Sequence, residues 1–229
     1  MRTTTDEEMV LRGGRLGQLA SFFAMVMVFA GLIVSFTEYR VMTFVLIAFG
    51  VAMYTVGARG QEQARREPQF VRKLTETLSE FDDRYHIYHH VLPADHVLLT
   101  PHGVFVMVVR GLDGSIRCFK DKWVRDLTLR RALRFFTEES LGNPTKEMLQ
   151  EVESVRKYVE KHAPHVTADI EGCVVFINPE ARLELTTASV PALPLRRLRS
   201  HIRKASARSE LPSETLSALV ELFEEAPRS

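Results

Sequence analysis

The chain is poor in the residues that would commit it to several common classes. Only two cysteines, Cys118 and Cys173, occur in 229 residues. Two cysteines exclude a disulfide framework, and no CxxC or Cys/His pair has zinc-finger spacing. Neither sign of charge dominates: 30 Lys and Arg stand against 29 Asp and Glu, a net charge of +1. Internal repeats and low-complexity tracts are missing as well. With 26% charged and 45% hydrophobic residues, the composition excludes a disordered or collagen-like chain. The length accommodates one ordinary domain with an addition, but not three.

The mean hydropathy is near zero, an average that conceals a concentration of apolar residues in the first quarter. Residues 16–36 (LGQLASFFAMVMVFAGLIVSF) and 41–58 (VMTFVLIAFGVAMYTVGA) carry no charge and are separated only by Thr37-Glu38-Tyr39-Arg40. About 20 apolar residues cross a ~30 Å hydrocarbon core, and either run suffices. A signal peptide has one shorter apolar region and a cleavage site, and a soluble core hairpin would show a polar stripe. The expectation is a two-helix transmembrane hairpin. Arg2, Arg12 and Arg15 precede it and Arg59, Arg65 and Arg66 follow it. Positive-inside bias then places a multi-pass protein in the cell membrane with both termini in the cytoplasm. The expected organisation is a tail over 1–15, the hairpin over 16–58, a charged connector over 59–66, a globular domain over 67–190, and basic then acidic helices over 191–229.

Within the soluble part, Phe70, Val71, Leu74, Leu78 and Phe81 have helical spacing. Short β-like runs follow at 85–91, 96–100, 104–109 and 115–119, punctuated by Pro101-His102-Gly103 and Gly111-Leu112-Asp113-Gly114. The run VFVMVV at 104–109 is apolar on both faces, as a central buried strand requires. A basic helix is expected over 127–136, and a longer one from Asn143-Pro144 to about His162, with Pro in its first turn. CVVFI at 173–177 reads as a buried strand and 183–185 as a further one. Helices are expected over 195–205 and 212–225. Strands first, then helix and strand, indicate an α/β domain with a mixed sheet flanked by helices.

Residues 95–110 read DHVLLTPHGVFVMVVR. A strand opening with Asp, a Gly turn and a strand of the form GVFVxxxK/R resembles the NERD (nuclease-related) domain, one of the PD-(D/E)XK restriction-endonuclease-like nucleases. Glu67 before the first soluble helix, Asp113-Gly114-Ser115-Ile116, Trp123, Asn143-Pro144 and the strand Cys173 to Asn178 continue the resemblance, over about residues 65–180. It implies a restriction-endonuclease-like mixed sheet. In such a site, an Asp at one strand end and a Glu two residues before a Lys hold a divalent ion, which polarises the phosphodiester and activates water.

Carried onto this chain, the Asp is Asp95, the Glu position is Val108, the Lys position is Arg110, and the Gln expected after Asn-Pro is Glu147. Mg²⁺ favours one or two carboxylates with substrate phosphate. That leaves Asp95, with Glu67 as a second candidate ligand. Arg110 stays protonated and binds phosphate rather than acting as a base. The resemblance therefore implies the fold, while the residues argue for a catalytically inactive module with no cofactor, serving to bind a partner. The alternative is a metal-dependent nuclease, using Mg²⁺, with a displaced carboxylate.

Two further groupings stand out. His86, His89, His90, His96 and His102 lie close in sequence, with His86 and His90 on one face of an ideal strand; either a metal site or ordinary strand histidines would produce this. Basic residues gather at Lys120, Lys122, Arg125, Arg130, Arg131 and Arg134, and again at Arg196, Arg197, Arg199, Arg203, Lys204 and Arg208. Nucleic acid or phosphate binding by Arg110 with Lys120, Lys122, Arg130, Arg131 and Arg134 is one reading. An anionic leaflet, a protein partner, or a solvated helix face balanced by acidic neighbours are the others.

Overall fold

The computed structural model describes residues 1–37, 40–126, 140–205 and 209–226. The expected helix at 127–136 lies outside them. The chain divides into two compact units, one containing residues 8–68 and the other residues 1–7, 69–126 and 141–229.

The first unit is built on α1 (Glu7–Val34) and α2 (Arg40–Leu78), both long and apolar enough to cross a membrane. Their contact runs through the smallest side chains. A Cβ added at Gly17 would lie 2.8 Å from the Gly57 carbonyl oxygen, and one at Gly57 would lie 2.6 Å from Ser21 Oγ. Gly17, Ala24 and Gly31 on α1, and Gly50, Gly57 and Ala64 on α2, recur every seven residues, the spacing of a left-handed helix pair. Gln61 Nε2 donates to the Gly17 carbonyl (3.1 Å) and to Ser21 Oγ (2.8 Å). Large apolar side chains, including Phe22, Phe29, Phe44 and Phe49, point outward. The charged connector expected after residue 58 is itself helical: α2 continues through it, past Pro68, to Leu78, and Arg66 pairs with Glu62 one turn back.

The second unit is a six-stranded mixed sheet in the order β1-β2-β3-β4-β7-β9, with a three-stranded sheet β6-β5-β8. The strands are β1 (Arg2–Thr5), β2 (His86–Leu92), β3 (Ala94–Thr100), β4 (Gly103–Arg110), β5 (Gly114–Phe119), β6 (Lys122–Arg125), β7 (Ile170–Phe176), β8 (Ala181–Leu185) and β9 (Ala192–Pro194). The helices are α3 (Pro144–His162), α4 (Leu198–Ala205) and α5 (Ser213–Glu224). The mixed sheet flanked by helices is the architecture expected from the sequence.

β4 is central, paired with β3 on one side and β7 on the other. Val104, Val106 and Val108 join one apolar cluster with Met148, Val152 and Val155 of α3 and Phe223 of α5. Phe105, Met107 and Val109 join the opposite cluster, with Leu74 and Leu78 of α2 and Leu198 and Ile202 of α4. Burial on both faces is why this strand carries no polar alternation. The β3–β4 turn needs glycine: Gly103 has φ +145°, and a Cβ there would meet the Asp169 carbonyl oxygen at 2.8 Å. α3 starts as its sequence dictates, with Asn143 Oδ1 accepting from the Lys146 backbone N–H at 3.1 Å and Pro144 in the first turn.

Residues 2–5 of the expected tail form β1, parallel to β2 in the register Arg2↔His86. The strand expected over 115–119 ends before Trp123, which lies in the further strand β6.

Candidate functional site

β3 and β4 run antiparallel with Val97 opposite Val106; continuing that register brings Asp95 level with Val108. Asp95, the second residue of β3, is half-exposed, while Val108 is 2% exposed in the apolar cluster beneath α3. At this end of the β3–β4 pair, Asp95 carries a carboxylate and the position level with it on β4 is Val108. Arg110, two residues on and on the same face by strand alternation, forms an ion pair with Glu147 in the first turn of α3.

One helical turn after Glu147 stands Glu151, on the same side of α3. Its carboxylate accepts from the Asp95 backbone N–H, and its Oε2 is buried with no hydrogen-bond partner. Burial, reinforced by the nearby charges of Asp95 and then Glu147 and opposed by Arg110, pushes the Glu151 carboxyl up to about 8. Three carboxylates and one guanidinium therefore meet where β3, β4 and α3 converge. The sequence reading singled out Asp95, Arg110 and Glu147 but not Glu151. The signal was present, because Glu147 and Glu151 are four apart on a helix.

Glu67 is a buried residue of α2 in the other unit. Lys120 and Lys122 flank the tight β5–β6 turn, exposed, with Lys120 and Asp121 at positive φ; Lys120 Nζ lies 5.4 Å from the Phe119 ring centroid. Asp121 accepts from the Ser189 backbone N–H at 2.9 Å, which holds its carboxyl below the usual range. Arg125, counted among the basic residues, is paired with Asp113. Arg130, Arg131 and Arg134 lie outside the described residues. On α4, Arg199 and Arg203 pair with Glu80, whereas Arg196, Arg197 and Lys204 are exposed. Trp123 Nε1 donates to Thr145 Oγ1 at 2.8 Å, joining β6 to the first turn of α3.

The histidines do not fall as ideal alternation requires. The β2–β3 register shifts between His89 and Leu92, and His90 has φ +58°. This bulge breaks the period, so the face expected to be shared by His86 and His90 is lost. His89, His90 and His96 come together instead. Cys118 and Cys173 are buried free thiols; burial pushes Cys173 up to about 12, which leaves it inert.

A family described as the nuclease-related domain (NERD) matches residues 62–177, just over half of the chain, from the last turns of α2 to the end of β7. No curated protein and no solved structure matches the chain.

Proposed function

The chain belongs to the nuclease-related domain family, and on that premise we infer that it is a membrane-anchored member that binds rather than cuts. The observation that carries this reading is the burial of Val108 among Val104, Val106, Met148 and Val152, at the position where the resemblance calls for a metal-holding Glu. Restoring a carboxylate there would push a charge into the sheet core. Arg110, at the position of the Lys, is engaged by Glu147 and remains a cation at every relevant pH. The exposed cations for a phosphate-bearing surface are elsewhere, at Lys120 and Lys122 and at Arg196, Arg197 and Lys204.

Membrane anchoring rests on the two apolar helices and on their outward-facing phenylalanines. Residues before and after the hairpin belong to the same sheet, since β1 pairs with β2. This supports an even number of crossings with both ends on one side, and the basic flanks favour the cytoplasm. Reporter fusions at Ser229 should be cytoplasmic, and a reporter active on the outer side would overturn the topology. The full chain in detergent should leave single- and double-stranded DNA intact in Mg²⁺ or Mn²⁺. Its DNA binding should weaken with salt and with Lys120→Ala plus Lys122→Ala. Cleavage that Asp95→Ala abolishes would overturn the binding reading.

One observation favours the alternative. Glu151 places a buried, unpartnered carboxylate oxygen beside Asp95, a donor pair suited to Mg²⁺ or Mn²⁺. A bound ion would draw the Glu151 proton off, restoring the second carboxylate from a helix instead of a strand. Under this reading, Glu151→Gln abolishes cleavage that the wild-type chain displays.

A further inference from the structure

The three-stranded sheet β6-β5-β8 buries one face and exposes the other. Ile116 and Cys118 of β5 are buried, with Trp123 of β6 opposite Cys118. Alternation turns Arg117 and Phe119 to the second face. The register sets Val124 opposite Arg117 and Lys122 opposite Phe119, and Arg182 of β8 opposite Ser115. Phe119 is 56% exposed and Val124 52% exposed. Opposed and diagonal neighbours in an antiparallel pair are within side-chain reach, so Phe119, Val124 and Lys122 make one patch. Among the described residues of the sheet unit, Phe119 is the only exposed aromatic.

Cations rim the patch. Lys120, Lys122 and Arg182 are exposed and pair with no carboxylate among the described residues. Arg117 is matched by Asp126, and Glu184 stands opposite Arg117 on β8, so cations outnumber acids here. The turn that carries the lysines is held firmly. Lys120 and Asp121 have φ of +47° and +56°, as a two-residue hairpin turn requires, although lysine enters that region at a steric cost. Groups outside the hairpin fix it there. The Lys120 backbone N–H donates to Thr187 Oγ1 at 2.9 Å, Asn143 Nδ2 donates to the Asp121 carbonyl at 3.3 Å, and the Asp121 carboxylate accepts from the Ser189 N–H at 2.9 Å. Lys120 Nζ is thereby held 5.4 Å from the Phe119 ring centroid, beside an aromatic surface whose other neighbours are cations.

We propose that the exposed face of β6-β5-β8 binds single-stranded nucleic acid, an unpaired base stacking on Phe119 while Lys120, Lys122 and Arg182 hold the flanking phosphates. This rests on the binding reading above and specifies the form of nucleic acid. A duplex keeps its bases stacked inside and offers the lysines phosphate alone, whereas a single strand also offers a π face to the ring. A basic surface carrying an aromatic platform suits strands of many sequences, because every base has such a face. A lipid or protein surface would need only apolar bulk at position 119, which leucine supplies; a stacked base needs the ring.

The test titrates the full chain in detergent against labelled oligothymidylate, oligouridylate and a DNA duplex, each about 12 nucleotides long, and reads fluorescence anisotropy. Single strands should bind more tightly than the duplex, and the tighter of the two strands tells DNA from RNA. Phe119→Ala and Phe119→Leu should each weaken single-strand binding roughly tenfold and leave duplex binding unchanged, while Phe119→Tyr retains it. The ring is more than half exposed, so the leucine and tyrosine variants keep the fold, which their unfolding midpoints check. Lys120→Ala with Lys122→Ala should weaken both forms and lower the slope of log affinity against log salt by about 1.4 on a single strand. Leu149→Ala, at an exposed apolar position on α3, should bind as the wild type does. Single-strand binding that survives Phe119→Leu, or a duplex bound as tightly as a single strand, would overturn this inference and leave the binding reading standing. A chain that binds neither form would overturn both.

Discussion

The two units solve opposite packing problems with the same apolar residues. In the sheet unit the large side chains are inside: Tyr88, Phe176 and Phe223 are almost wholly buried, and the strands and helices close over them. In the hairpin the large side chains are outside, and the helices meet through glycine and alanine. Burying apolar area drives the first, at roughly 25 cal/mol per Å² in water. Where the surroundings are hydrocarbon, that drive vanishes and close backbone approach holds helices together instead. On the membrane-anchored reading proposed above, the medium decides which residues do the packing, so equal substitutions should have unequal effects in the two units.

The largest expected effect is in the sheet. Val108→Glu should destabilise the unit by about 5 kcal/mol by burying a carboxyl without partners; denaturant unfolding of the full chain measures it. Recovery of that loss in Mn²⁺ would instead favour the metal-dependent reading. Phe176→Ala should cost about 4 kcal/mol by leaving a cavity against Trp123 and α3. In the hairpin the sign of the size rule reverses, and enlarging a small residue should do the damage. Gly57→Val should cost about 2 kcal/mol through its clash with Ser21 and Gly17. Amide exchange should quicken in α1 and α2 and not in β4; loosening of β4 would show that the units are not independent.

Glu151 sharpens the contrast within the sheet unit, since it is a polar group in a partly dry place. Its carboxyl titrates near 8 when folded against 4.5 ordinarily, so the folded chain holds a proton that the unfolded chain releases. Stability is therefore fullest below the ordinary value and falls as pH rises through about 8. Glu151→Gln should flatten that fall and stabilise the chain by about 1–2 kcal/mol at pH 8, once its residual exposure is allowed for; thermal unfolding between pH 5 and 9 checks it. The smallest effect is expected for Phe44→Ala, whose ring points outward in the hairpin: a change within about 0.5 kcal/mol in detergent. A large loss there would mean that the outer face of the hairpin packs on protein.

Where a segment's burial is uniform, the sequence was readable. β4 is apolar on both faces and sits at the centre of the sheet. α3 has a side-chain cap and a first-turn proline, and the two helices long enough to cross a membrane match the uncharged runs. Where a distant partner decides, it was not. β1 is RTTT, with no apolar pattern, and is a strand only because β2 accepts it. The helical state of residues 59–69 comes from continuity with the apolar run before it and from pairs such as Glu62–Arg66, not from a pattern of its own. The bulge at His90 breaks the alternation used to assign faces, so the face expected to be shared by His86 and His90 is lost, although His89, His90 and His96 of the same grouping do meet. Asp95, Val108 and Arg110 were legible because they fall in one contiguous stretch of two strands. Glu151 comes from a helix more than forty residues later, and only the fold brings it to Asp95.

The pairing of β1 with β2 also bears on the order of events expected during folding. Arg2 pairs with His86, so the sheet's edge closes a loop of 84 residues, and every residue of the hairpin lies within it. Once the hairpin has zipped, Gly14 lies against Ala64, and the span left to close shrinks to about 34 residues. The closure entropy then falls by a little under about 1 kcal/mol. Shortening the loop favours docking of the edge strand after the hairpin has brought its two ends together. Before that, β2 would present an open edge that the same strand of a neighbouring chain fits, so an exchange of β1 between copies is the misassembly this topology invites.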